Sequence, residues 1–214
     1  MKKVLFVCTG NTCRSPMAEA LLREKAVEGG FRLEVRSAGI SAMNGASPSD
    51  AAVQVMKEKG IDHSSHRSRP LDGSGVAWAD LILTMTSAHK QMLIRHYPEA
   101  VDKLHTLKEY VLGDSQREKV KSLQRLQAEL ETCRALLEQA RKEGDLLREK
   151  ELQGKLKERE ASLASLRKEV GEMMPRMDVA DPFGGDVEEY RRCAAEIEVQ
   201  VEKLLDRWKN ERES

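Results

Sequence analysis

The sequence predicts an α/β fold: a three-layer, four-stranded parallel sheet flanked by helices, with a protruding antiparallel helical hairpin inserted in it. Three observations predict this. Apolar runs alternate with amphipathic stretches from residue 1 to about 112, the pattern of right-handed strand–helix–strand crossovers. From Gly113 to Met177 the pattern changes to heptad-spaced leucines without a single aromatic or histidine. An amphipathic helix then closes the chain.

The β-formers Val4, Leu5, Phe6 and Val7 make the first strand, which ends in Cys8. Ser15 and Pro16 read as the N-cap and first position of a helix that runs to about Glu28 and stops at Gly29-Gly30. Phe31 to Ser37 alternates apolar and charged residues, a strand with one buried face. Ser47-Pro48-Ser49-Asp50 opens a second helix, lined inwardly by Ala52, Val53 and Met56 and ended by Gly60. Within Trp78 to Met85, Leu81-Ile82-Leu83 is a central strand, and Thr86-Ser87 starts the helix behind it. Leu104 to Leu107 is a short fourth strand, and the last helix, Val187 to about Lys209, turns Ile197, Val201, Leu204, Leu205 and Trp208 to the core.

In the inserted segment, Leu123, Leu126, Leu130, Cys133, Leu137 and Ala140 follow in steps of three and four. After Glu143-Gly144-Asp145 a second series runs Leu152, Leu156, Leu163, Leu166, Val170 and Met173, broken only by Arg159. These are seams on two helices joined by a tight turn, each roughly 40–45 Å long at 1.5 Å per residue. The expected organisation is therefore a discontinuous domain, 1–112 with 178–214, and an inserted coiled-coil-like hairpin, 113–177. Such a hairpin is either a self-satisfied spacer with solvated charges or a surface for a protein partner or self-association.

Lys and Arg total 36 and Asp and Glu total 36, so no global field favours nucleic acid or a membrane surface. Interspersed charges and 4% aromatics leave no stacking platform for nucleic acid. No stretch approaches the roughly 20 apolar residues of a membrane span. The 4 cysteines show no framework spacing, which points to a reducing, cytoplasmic setting.

The chemistry is read from Val4 to Pro16. Cys8 ends a strand, Arg14 follows six residues later, and a helix begins at once. The helix N-terminus turns unpaired N–H groups and the positive end of its dipole toward the loop, an anion cradle with a sulfur at its floor. Loop amides from Thr9 to Arg14 can turn inward where the backbone is permissive, a role assigned to Gly10, with Asn11 left-handed and tying the loop. The planar fork of Arg14 suits two phosphoryl oxygens at once. Electropositive surroundings favour the thiolate, the nucleophilic form of cysteine. A cysteine ending a buried strand is commonly a mere core residue, but Cys13, Cys133 and Cys193 have no arginine six residues on.

The run Val-Cys-Thr-Gly-Asn-Thr-Cys-Arg-Ser-Pro-Met-Ala-Glu-Ala, 7–20, resembles the phosphate loop of the low-molecular-weight protein tyrosine phosphatases, and most of all their bacterial protein-arginine phosphatase branch. The resemblance continues through Arg36-Ser37-Ala38-Gly39, Ala79 to Thr86, Thr106 to Val111 and Asp181-Pro182-Phe183-Gly184-Gly185, covering roughly 1–112 and 178–214. It implies a cysteine-dependent protein phosphatase that works through a thiophosphate intermediate on phosphorylated proteins, without cofactor or metal. Cys8 would be the nucleophile, Arg14 the phosphate clamp and Asp181 the acid. Thr9, Gly10, Asn11, Thr12, Cys13 and Ser15 would form the phosphate and substrate loop. Phe183 would wall the substrate pocket, and Ser37 and His66 would brace the loop, although His66 reads equally as a surface histidine. Thr12 stands where tyrosine-specific relatives have a larger aliphatic residue, which favours phosphoarginine, with phosphotyrosine as the alternative. Cys13 beside Cys8 is either a packing residue or the partner of a protective disulfide. An arsenate reductase would need a downstream cysteine pair, and Cys133 and Cys193 are far apart in sequence. A non-catalytic scaffold would be expected to lack Cys8, Arg14 or Asp181.

Overall fold

The computed structural model describes residues 1–173 and 177–213. Pro175, the one proline of the insert, lies outside the described residues, as does the side chain of Met173 at the end of the second seam. The chain divides into two compact units, Met1–Val111 with Arg176–Ser214, and Leu112–Pro175.

In the first unit, β1 (Lys2–Cys8), β2 (Leu33–Gly39), β3 (Leu81–Thr84) and β4 (Leu104–Thr106) form a parallel sheet in the order β2-β1-β3-β4. β1 lies inside the sheet, so it must bury both faces, and its unbroken apolar run permits that. Val4, Phe6 and Cys8 join the core formed with α1 (Arg14–Glu28), α2 (Asp50–Glu58) and α8 (Val187–Glu213). Leu5 and Val7 point the other way, into a smaller core with α3 (Gly73–Trp78) and α4 (Ser87–His96). Cys8 pairs with Gly39 at the carboxyl end of the sheet, the edge where ligands of such sheets bind. A 3-10 turn, Pro98–Lys103, precedes β4, and the short helix α5 (Leu107–Tyr110) follows it.

Several elements differ from the sequence expectation. α1 begins at Arg14, with Cys13 in the cap position and no side-chain cap. Ser15 is already helical, and its hydroxyl is occupied in the loop described below. The second strand begins at Leu33, not Phe31, because Phe31 folds over the C-terminus of α1, its N–H donating to Ala26. On α2 the buried residues are Ala52, Val55 and Met56, while Val53 is only half-buried. Leu107 belongs to α5, drawn there by a capping box between Thr106 and Glu109. α3 was not foreseen: Gly73-Ser74-Gly75 has the composition of a loop, and the helix forms because Asp72 caps Gly75 N at 2.8 Å.

The second unit consists of α6 (Asp114–Glu143) and α7 (Leu146–Met173), which turn at Gly144 in the left-handed region, φ 71°. Cys133, Leu137, Ala140 and Leu152 form its buried core. Cross-helix ion pairs, Arg134–Glu160 at 3.1 Å, Arg141–Glu149 at 3.0 Å and Lys119–Glu169, fix an antiparallel register. Arg159 interrupts the seam by reaching across to Glu129 at 3.2 Å. Exposed pairs of this kind set register more than they add stability.

The end of β2 is packed directly under the Cys8 loop. Ile40 N donates to Cys8 O and Ser41 N to Thr9 O, both at 3.0 Å. A Cβ on Gly39 would lie 2.6 Å from Thr9 O and 2.9 Å from Asn11 N. Gly39→Ala is therefore expected to cost ~1–3 kcal/mol in denaturant unfolding and to lower kcat/KM as the loop backbone shifts.

Candidate active site

The loop from Cys8 to Ser15 is shaped by Asn11, the one non-glycine residue of positive φ (54°) among the described residues. Its side chain is fully buried and fully used: Nδ2 donates to Ser37 Oγ at 2.8 Å and Ser15 Oγ at 3.0 Å, and Oδ1 accepts from Arg69 N at 2.8 Å. His66 Nε2 lies 2.9 Å from Asn11 O. A carbonyl only accepts, so the His66 proton is on Nε2. Gly10, expected to supply the permissive backbone, has no positive φ, and a Cβ there meets only Thr12 Oγ1 at 3.5 Å. The conformational strain is carried by Asn11 because its amide can repay it with local hydrogen bonds.

Cys8 is buried, with Ser15 Oγ at 3.0 Å from its sulfur and Asn11 N donating at 3.3 Å. Ser15 Oγ already accepts from Asn11 Nδ2, which leaves its own proton for the sulfur; Ala38 O lies farther away, at 3.4 Å. Two donors thus face a thiolate at this position.

Arg14 is 4% exposed. Its guanidinium donates from one Nη to Val179 O at 3.2 Å and from the other to Asp181 Oδ2, while Nε is buried with no partner. A buried donor left over on a guanidinium fork fits a phosphoryl oxygen. Residues 177–186 are held against the sheet edge: Val179 N donates to Met85 O at 2.8 Å, and Asp178 Oδ1 accepts from Ser87 N at 2.7 Å and Ser87 Oγ at 2.6 Å. Asp181 remains half-exposed and also accepts from Phe183 N at 3.2 Å. Pro182 is buried, Phe183 is 76% exposed, and Gly184 takes φ 80°.

Thr12 is half-buried in the loop, its carbonyl held by Ser49 N at 3.0 Å. Cys13 faces away from this centre toward α2 and α8, its sulfur 3.5 Å from Ser49 Oγ and 3.2 Å from Tyr190 Oη. Burial, followed by that contact, pushes the Tyr190 phenol up to about 12. All four cysteines are unbridged.

Sequence reasoning missed His89. Its Nε2 lies 2.9 Å from Thr9 Oγ1. The available signal was the cap at Thr86, which places residue 89 on the first turn beyond β3, at the same sheet edge as Cys8. Among the described residues no cluster of His, Cys, Asp and Glu could hold a metal ion, and no helix is long and apolar enough to cross a membrane.

With the loop, the clamp and the carboxylate placed, comparison with known proteins is decisive. The family model for low molecular weight phosphotyrosine protein phosphatase matches residues 3–170. The chain belongs to this family. A protein-arginine-phosphatase of Geobacillus stearothermophilus is 34% identical over 98% of this chain and 97% of its own length. A protein-arginine-phosphatase of Bacillus subtilis is 46% identical over 51% of this chain and 73% of its own. The solved structure of the YwlE arginine phosphatase from Geobacillus stearothermophilus superposes with a TM-score of 0.66, 34% identity, and coverage of 99% and 95% of the two chains. The chain is thus a phosphatase whose substrates are phosphoproteins.

His63 stacks on His66, ring centroids 5.3 Å apart and 12° from parallel. Burial first, then the neighbouring His66, pushes the His63 imidazole down to about 4. An unfolded histidine takes its proton near 6.5, so between these values the unfolded chain binds more protons and stability falls as pH drops. His63→Gln is expected to flatten the loss of melting temperature between about pH 6.5 and about 4.

Proposed function

We propose that the chain hydrolyses phosphoarginine on proteins through a cysteinyl-phosphate intermediate. The observation that carries this reading is Thr12. Its small hydroxyl, in place of a larger aliphatic side chain, leaves room and a polar contact for a planar guanidinium. Near-full-length similarity to a protein-arginine-phosphatase supports it.

The phosphoryl group enters the cradle of loop amides and takes the Arg14 fork, including the unused Nε. In doing so it competes with Asp181 for the guanidinium and frees that carboxyl toward the leaving group. Cys8 Sγ attacks phosphorus, forming an S–P bond as the P–N bond breaks, and Asp181 gives its proton to the departing guanidino nitrogen. Asp181 then takes a proton from water. The resulting nucleophile breaks the S–P bond, and inorganic phosphate leaves with the Cys8 thiolate regenerated. Ser15 and Asn11 hold the sulfur in both steps, Ser37 and His66 hold Asn11, and Phe183 walls the mouth of the site. A phosphotyrosine substrate would use the same steps with oxygen as leaving atom, and the exposed Phe183 ring suits a phenyl group as well.

Residues 1–112 and 178–214 are read as the catalytic domain, and 113–177 as a hairpin for protein recognition or self-association. Leu146 and Leu147, 78% and 84% exposed beside the α6–α7 turn, favour a contact role over a spacer. The unbridged cysteines fit a cytoplasmic setting.

Turnover of a phosphoarginine peptide is expected to exceed that of a phosphotyrosine peptide, and Thr12→Ile to shift preference toward phosphotyrosine. A wild type that prefers phosphotyrosine would overturn the substrate assignment. Asp181→Asn is expected to lower kcat on phosphoarginine by about 10²–10⁴-fold, with the peptide substrate still bound. If the hairpin mediates association, Leu146→Ser with Leu147→Ser lowers the mass seen by light scattering or weakens turnover of phosphoprotein relative to peptide. Neither change would make the hairpin a spacer.

A further inference from the structure

Thr9 directly follows the nucleophile and is exposed at the loop, whereas the side chain that holds it is not. His89 is 6% exposed, its hydrogen bond runs from Nε2 to Thr9 Oγ1 at 2.9 Å, and its Nδ1 is buried without a partner. Leaving a ring nitrogen unsatisfied in the protein interior is unfavourable. A wall that needed only bulk would be better served by an apolar ring. The remaining polar contact of this imidazole is therefore its purpose: it fixes the Thr9 hydroxyl.

We infer that Thr9 and His89 form a second specificity element, in which the buried imidazole orients Thr9 Oγ1 to accept a hydrogen bond from a guanidino N–H of the substrate. This rests on the phosphoarginine reading above. In one tautomer Nε2–H donates to Oγ1, and in the other Nε2 accepts the hydroxyl proton; both leave a lone pair of Oγ1 free. A substituted guanidinium presents only donors around its rim, so it meets that lone pair favourably. The phenyl ring of phosphotyrosine brings no N–H or O–H and leaves the oxygen unmatched, the kind of mismatch by which a polar site discriminates. Charge is consistent with this role. Burial, followed by the nearby Arg14 cation, lowers the His89 pKa from its ordinary value, partly opposed by Asp181 and Asp178. The ring is thus neutral at neutral pH and adds no second cation against a cationic substrate. Thr9 contacts substrate in this scheme, and His89 is a positioning residue that acts through it.

The test measures kcat/KM on a phosphoarginine peptide and a phosphotyrosine peptide for wild type, Thr9→Val, His89→Phe, the double variant and His89→Gln. Thr9→Val is expected to reduce the phosphoarginine-to-phosphotyrosine ratio about tenfold, mainly through KM for phosphoarginine, the size of a lost hydrogen bond to a charged donor. His89→Phe gives a similar fall, the double variant falls no further than Thr9→Val, and His89→Gln regains part of the ratio by restoring a polar atom. An unchanged ratio in Thr9→Val, or a double variant whose loss is the product of the single losses, would overturn the pairing. Thr9→Val decides the matter by itself if His89→Phe does not fold. A wild type that turns over phosphotyrosine but not phosphoarginine sinks the substrate reading and this inference with it. That result is distinct from a phosphoarginine-selective wild type in which the Thr9→Val ratio is unmoved.

Discussion

A buried asparagine held at positive φ sets the geometry on which the phosphatase site depends. The left-handed conformation costs on the order of 1 kcal/mol for a residue with a Cβ, and it persists because every polar atom of the Asn11 side chain is used. Ser15, Ser37 and the Arg69 amide engage the carboxamide, and His66 engages the carbonyl. Those partners come from the first helix, the second strand and the segment before α3, so the loop is locked by three separate parts of the chain. The lock turns Asn11 N toward Cys8, and through Ser15 it releases a hydroxyl proton for the same sulfur. Packing and chemistry are one network here.

The second constraint is electrostatic. Arg14 is buried, and a buried guanidinium must be paired. Val179 O and Asp181 satisfy two of its nitrogens from residues far along the chain. Nε stays unsatisfied, a cost that makes sense where a phosphoryl group is to be received. Because Asp181 bonds to the cation that binds phosphate in the proposed mechanism, clamp and acid would be linked there by competition. The segment that carries Asp181 is held at the sheet edge because Val179 and Asp178 are tied to the end of β3 and the start of α4.

The helical unit obeys different physics. Its buried residues are few, Cys133, Leu137, Ala140 and Leu152 at the heart of it, and its register is written in ion pairs as much as in leucines. Arg159 shows why the seam tolerates a charge: the side chain crosses to Glu129 instead of entering the seam. Membership of the phosphatase family accounts for the sheet and the loop, and leaves this unit to be explained by its own surface.

The parallel strands, the position of the Cys8–Arg14 loop and the two long helices were legible in the sequence, because they rest on local signals: an unbroken apolar run into Cys8, a cysteine and arginine in fixed spacing, and leucines in steps of three and four. Asp181 was legible only through family resemblance, since Asp-Pro by itself reads as a turn. Local signals failed where long-range partners decided the outcome. Ser15 looked like a cap, but Cys8 and Asn11 claimed its hydroxyl, and the helix began two residues earlier, at Arg14. Gly10 looked like the permissive residue, but the hydrogen bonds at Asn11 moved the left-handed turn there. His66 was ambiguous until the fold brought it to the Asn11 carbonyl. His89 carried no signal of its own, since its meaning lies in a contact with Thr9, eighty positions earlier. The sequence by itself determined most of the elements and where the loop cysteine and arginine fall; only tertiary structure decided which buried polar groups meet, because a hydrogen bond between distant residues leaves no periodicity to read.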